Sequence, residues 1–153
     1  MGRPRAPSGG RKPCPPRGLP DAAPGYPNRV TQQTSQQELY RFLEDRFTCA
    51  QACTECARAC ALRAGVLDPG GTALVEQVRR KGIMCAEVCD ATCRALTEET
   101  GRDETGLRVQ LEWCRAVCLE SAQAFDTQPG AEKSADACRA CAAACTEFMV
   151  ALR

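Results

Sequence analysis

Residues 49–60 read CAQACTECARAC, with cysteines at positions 49, 53, 56 and 60. Residues three and four apart share one face of an α-helix, their Cβ atoms about 5–6 Å apart. The same rhythm returns in CAEVCDATC (85–93), CRAVC (114–118) and CRACAAAC (138–145). Four such segments predict four helices, each carrying a stripe of thiols on the face it would bury.

The surrounding sequence supplies the boundaries. Ser35-Gln-Gln-Glu38 fits a capping box and sets the expected start of the first helix, which runs to about Gly65 before the turn Asp68-Pro-Gly-Gly71. A second helix is expected from about Thr72 to Glu99, a third from about Glu104 to Phe125, and a fourth from about Ala131 to Leu152. The seams read Leu39, Phe42, Cys49, Cys53, Cys56, Cys60 in the first helix and Val75, Val78, Gly82, Cys85, Cys89, Cys93, Leu96 in the second. They continue as Leu107, Leu111, Cys114, Cys118, Ala122, Phe125 in the third and Ala135, Cys138, Cys141, Cys145, Met149, Leu152 in the fourth. Helices of similar length joined by short loops predict an all-α fold, an antiparallel up-down-up-down four-helix bundle with a cysteine-lined core and apolar plugs at both ends.

Residues 1–34 differ from the rest. They hold eight of the ten prolines, five of the 12 glycines and six of the 20 basic residues, with one of the 19 acids. Such a segment buries too little apolar surface to offset its ordering entropy, so a disordered tail is expected, with Cys14 outside the core. The bundle, residues 35–153, is then mildly acidic, which argues against nucleic acid as a partner. No stretch has the length of apolar residues needed to cross a membrane, and the basic N-terminus is not followed by an apolar h-region. The expectation is a cytosolic protein with reduced thiols, in which metal binding outweighs cross-linking.

The spacing narrows the chemistry. A disulfide needs Cβ atoms about 3.5–4.5 Å apart, closer than neighbours on a helix face. Cys53-x-x-Cys56 and Cys138-x-x-Cys141 match a redox CxxC, but that chemistry uses a helix N-terminus to lower a thiol pKa, and both pairs lie within helices. Zinc sites usually mix Cys with His in sets of four, and this chain of 13 cysteines has no histidine. Iron–sulfur clusters favour cysteines on wrapping loops. Cu(I), soft and satisfied by two or three thiolates, suits a continuous stripe. Buried thiolates without cations would be prohibitive, so rough neutrality implies on the order of ten Cu(I) ions per chain. A zinc or other soft-metal buffer is the alternative, and a thiol-redox protein the second. Cysteine also packs as a small hydrophobe, an adequate reading for one or two positions but not for twelve on four seams.

The four cysteine segments resemble those of the bacterial copper storage proteins, over about residues 35–152. The resemblance implies a non-enzymatic cytosolic store of many Cu(I) ions held by Cys49, Cys53, Cys56, Cys60, Cys85, Cys89, Cys93, Cys114, Cys118, Cys138, Cys141 and Cys145. It further implies assembly of bundles into a homotetramer; a copper chaperone is a candidate partner. Cytosolic members often carry histidines where copper enters. Here Leu107, Leu111 and Met149 stand at that end, so loading is expected to be slower or to use Met149 and the end cysteines.

Overall fold

The computed structural model describes residues 29–98 and 103–152. Four helices follow one another: α1 (Arg29–Val66), α2 (Ala73–Glu98), α3 (Glu104–Asp126) and α4 (Glu132–Ala151). Each helix packs on its sequence neighbours and α1 closes the ring on α4, while the backbones of the diagonal pairs stay apart. Contacts between opposite helix ends fix the antiparallel directions. Arg46, in the first half of α1, meets the end of α2 at Leu96, and Arg108, early in α3, donates to the Leu152 carbonyl after α4 at 2.8 Å. This is the up-down-up-down bundle that short loops between long helices require.

The first helix starts earlier than its sequence suggests. It begins at Arg29, so Ser35 lies inside the helix and the capping box with Glu38 does not start it. The expected disorder of the tail, and Cys14, fall outside the described residues as far as residue 28. At 38 residues α1 overshoots α4, with 20, and Leu39 near its start is 56% exposed rather than on the core seam. The other boundaries fall within a residue of expectation.

Local chemistry closes the turns. Asp103 caps α3 by accepting a hydrogen bond from the Gly106 amide at 2.8 Å, and Gly130 makes the α3–α4 turn with φ +76°, a left-handed conformation that suits glycine. Gly82 permits close helix approach, since a Cβ there would lie 3.2 Å from the Phe125 ring and 3.3 Å from Ala64.

Both ends of the core are plugged by apolar side chains. One end buries Leu96, Leu107, Leu111, Phe148 and Leu152, with Phe42 tilted against Phe148 at 5.5 Å between ring centroids. The other buries Ala64, Val78, Phe125, Ala131 and Ala135. Two seam assignments shift by one residue. Thr92, not Cys93, fills the buried position of α2, and Phe148, not Met149, is the fully buried plug of α4. Met149 packs half-buried beside it.

Arg46 is a buried cation in the first of these plugs. Its Nε donates to the Leu96 carbonyl at 2.5 Å and its Nη2 reaches the Ala95 carbonyl at 3.5 Å. Both carbonyls lie in the last turn of α2, where no intrahelical donor remains. Hydrogen bonds to a charged donor contribute about 1.5–3 kcal/mol each. Arg46→Met, which keeps the apolar stem, is therefore expected to lower unfolding free energy by about 2 kcal/mol in urea titrations of the apo-protein. An unchanged midpoint would show that the cap contributes nothing.

Candidate metal centre

Small residues between the cysteines let the thiol stripes converge. In the first stripe Ala50, Ala52, Ala57 and Ala59 keep the helix slim, and Gln51, Glu55 and Arg58 point to solvent. Eleven cysteines are buried in the middle of the bundle: Cys49, Cys53, Cys56, Cys60, Cys85, Cys89, Cys114, Cys118, Cys138, Cys141 and Cys145. None of the described cysteines is in a disulfide. Sulfur meets sulfur along and across helices. Cys56 lies 3.9 Å from Cys60 on its own helix, 3.8 Å from Cys85 on α2, 3.8 Å from Cys118 on α3 and 3.7 Å from Cys138 on α4.

Three groups of four thiols have all their sulfurs within 4.8 Å of one another. They are Cys53, Cys114, Cys141 and Cys145 towards the Phe148 end, Cys56, Cys89, Cys118 and Cys141 in the middle, and Cys56, Cys60, Cys85 and Cys138 towards the Phe125 end. Cys56 and Cys141 each belong to two groups, so the sites are not separate cages but one connected lattice. Cys60–Cys138 and Cys89–Cys118, at 3.4 Å, are its closest contacts.

Two predicted ligands sit at the margin. Cys49 joins the lattice through Cys145, 4.0 Å away. Cys93 is half-buried on the α1–α2 side, its sulfur 3.2 Å from the Thr54 hydroxyl and in none of the three groups. The remaining predicted cysteines all meet in the lattice.

The thiols influence one another's protonation. Hydrogen bonding with Cys145, then with Cys53, stabilises the Cys49 thiolate and lowers its pKa to about 5 against the opposing effect of burial. Cys53 and Cys89 move the other way: hydrogen bonding first with Cys114 favours their protonated form, and burial adds to it. A lattice of mostly neutral thiols with few thiolates costs little to bury. Each cation that enters can then replace protons without leaving net charge in the core.

A wall of soft sulfur on four rigid helices can bind thiophilic ions in numbers. The family model described as copper storage protein matches residues 35–150. The chain belongs to the copper storage protein family. Solved structures agree. Streptomyces lividans Ccsp loaded with 10 copper equivalents is 32% identical, with TM-score 0.52, and the match covers 83% of this chain and 94% of that one. A histidine-to-alanine mutant of the same protein is 33% identical, with TM-score 0.51, over 77% of this chain and 97% of that one. A third structure, of copper loading to a cytosolic copper storage protein from Streptomyces lividans with five coppers, is 32% identical with TM-score 0.49, over 77% of this chain and 97% of that one. No curated protein matches by sequence.

Sequence reading missed the burial of Thr92 and Phe148 and the shared membership of Cys56 and Cys141. The last is a property of four helices together, with no signal in any one of them.

Proposed function

We propose that this copper storage protein holds on the order of ten Cu(I) ions per chain in the lattice of eleven buried thiols, with Cys93 as a peripheral twelfth ligand. The observation that carries the reading is continuity: one connected set of sulfurs serves many ions better than one ion. The store is cytosolic, like the cytosolic copper storage protein of Streptomyces lividans, and it sequesters copper rather than catalysing a reaction. No helix among the described residues is long and apolar enough to cross a membrane. Titration of the reduced apo-protein against a competing Cu(I) chelator tests the reading, and saturation at one or two ions would refute it.

Charge decides between Cu(I) and zinc. Groups with sulfurs 3.4–3.9 Å apart, such as Cys56, Cys60, Cys85 and Cys138, are also of the right size for a tetrahedral ion with metal–sulfur bonds of about 2.3 Å. Only two of the three groups are disjoint, however, so zinc could fill at most two of them. Each zinc would leave a doubly negative site in a dry core, at several kcal/mol per uncompensated charge. Cu(I) neutralises its thiolates nearly one for one. Side-by-side titrations should therefore end near two zinc ions but many Cu(I) ions.

Thiol-redox chemistry needs a thiolate that substrates can reach. The thiols whose pKa is lowered by hydrogen bonding with neighbouring thiols, Cys49, Cys85, Cys114 and Cys141, are all buried.

Copper would come from a chaperone or another thiol carrier. Self-association into a homotetramer is favoured by large apolar side chains on the outer faces, with Tyr40 and Phe47 on α1 and Val109 and Trp113 on α3 all exposed. Light scattering of the apo-protein tests that assembly.

Acid should empty the store. Protons compete with Cu(I) for every thiolate, so Cu(I) transfer to a chelator is expected to grow as pH falls. Hydrogen bonding and burial that raise the pKa of Cys53 and Cys89 favour release, whereas hydrogen bonding that lowers it at Cys49, Cys85, Cys114 and Cys141 favours retention. Retention independent of pH would contradict proton-coupled binding.

A further inference from the structure

The stored ions must cross a wall, because the apolar plugs close both ends of the bundle and the core thiols are buried. One cleft reaches the lattice from the side. It lies on the α1–α4 seam, has a volume of about 140 Å³, and is lined by Asp45, Thr48, Cys49, Ala144, Glu147 and Phe148. Cys49 is the cysteine at its floor, and the carboxylates of Asp45 and Glu147 belong to exposed residues at its rim.

We propose that this lateral cleft is the copper entrance and that Cys49 is the first protein thiol to take the ion. The inference rests on the storage reading above and adds the route. Three observations converge on it. The cleft is lined by Cys49, a core cysteine. Cys49 is joined inward through Cys145 at 4.0 Å. From there the path continues without a gap wider than ligand exchange can bridge. Cys145 shares a group with Cys53, Cys114 and Cys141, then Cys114 lies 3.8 Å from Cys89 and Cys89 lies 3.4 Å from Cys118. Cys118 is 3.8 Å from Cys56, and Cys56 is 3.7 Å from Cys138 at the far end.

The competing way in is the α1–α2 side, where Cys93 is the more accessible thiol. Its sulfur contacts the Thr54 hydroxyl, whereas that of Cys49 meets another thiol, so an ion caught at Cys93 has no comparable sulfur path inward. The groove beside it is lined by Thr54, Ala57, Arg58, Ala61, Ala86, Glu87 and Asp90 and reaches no cysteine.

The step is ligand exchange without change of oxidation state. The bond from Cu(I) to the donor sulfur breaks, a bond to Cys49 Sγ forms, and the donor thiolate takes up a proton from the protein or solvent. A second exchange moves the ion to Cys145. The acidic rim holds a cation near the mouth but is not itself the site.

The test measures loading rate separately from capacity, with Cu(I) delivered as its glutathione complex to full-length reduced protein. Ala144→Phe fills the cleft from α4, and Thr48→Tyr covers it from an exposed position on α1. Both are expected to slow loading by about tenfold, the scale on which association rates respond to changes at an entry surface, while the final stoichiometry stays at the wild-type value. Ala61→Phe, in the α1–α2 groove, is expected to load at the wild-type rate. Wild-type rates in both cleft variants, or equal slowing by Ala61→Phe, would overturn the lateral entrance. Failure of the unmodified protein to take up many ions would overturn the storage reading itself, an outcome visible before any variant is compared.

Discussion

Replacing Cys56 and Cys141 together by serine is expected to cut Cu(I) capacity to about half or less, although nine buried thiols remain. The reason is topological. Cys141 belongs to the first and middle groups and Cys56 to the middle and last, so two substitutions break all three. What remains of the groups is three thiols at one end (Cys53, Cys114, Cys145), three at the other (Cys60, Cys85, Cys138) and the pair Cys89–Cys118 between them, with Cys49 at the margin. Ions that bridged neighbouring groups lose their ligands. The double variant Cys93→Ser/Cys49→Ser removes as many thiols from the margin and leaves every group intact, so it should lose far less. Equal losses in the two double variants, measured by chelator competition, would show that the sulfurs act independently.

Copper loading is expected to move unfolding out of the range of ordinary denaturant titration. A ligand bound only by the folded state stabilises it by about 4 kcal/mol per site at a thousand-fold excess over Kd. Several sites filled at once exceed the roughly 5–15 kcal/mol that holds a typical domain together. The apo-bundle starts with little in reserve, since much of its core is sulfur and its largest fully buried side chains, Phe125 and Phe148, are confined to the plugs. Circular dichroism in guanidinium chloride should give a cooperative transition for apo-protein and little loss of helix for the saturated form. Coincident transitions would mean that copper binds equally well to unfolded chains.

Much of this was legible in the sequence because thiols three and four apart have one economical arrangement on a helix. Four such stripes with short loops leave little but a bundle. Two of the errors share a physical cause. On a helix of 3.6 residues per turn each step of four overshoots the core face by about 40°, so consecutive steps of four drift off it. Two steps of four from Cys85 through Cys89 reach Cys93, whereas seven residues on from Cys85 the helix turns Thr92 inward. The same drift puts Phe148, seven on from Cys141, where Met149, four on from Cys145, was expected. Ser35 looked like a cap because Ser-x-x-Glu is a local signal, and it cannot report that the helix already started at Arg29. The cleft at Cys49 had no signature at all. It depends on small Ala144 and exposed Thr48 meeting across two helices that are distant in sequence.

The Cu(I) stoichiometry of reduced apo-protein tests storage most directly. Aliquots of Cu(I) are added in the absence of oxygen, with a competing chelator reporting the first unbound ion. An endpoint of about ten ions per chain is predicted from near-neutral filling of the thiol lattice. An endpoint of one or two, with the other thiols still open to alkylation in the unfolded chain, would contradict it.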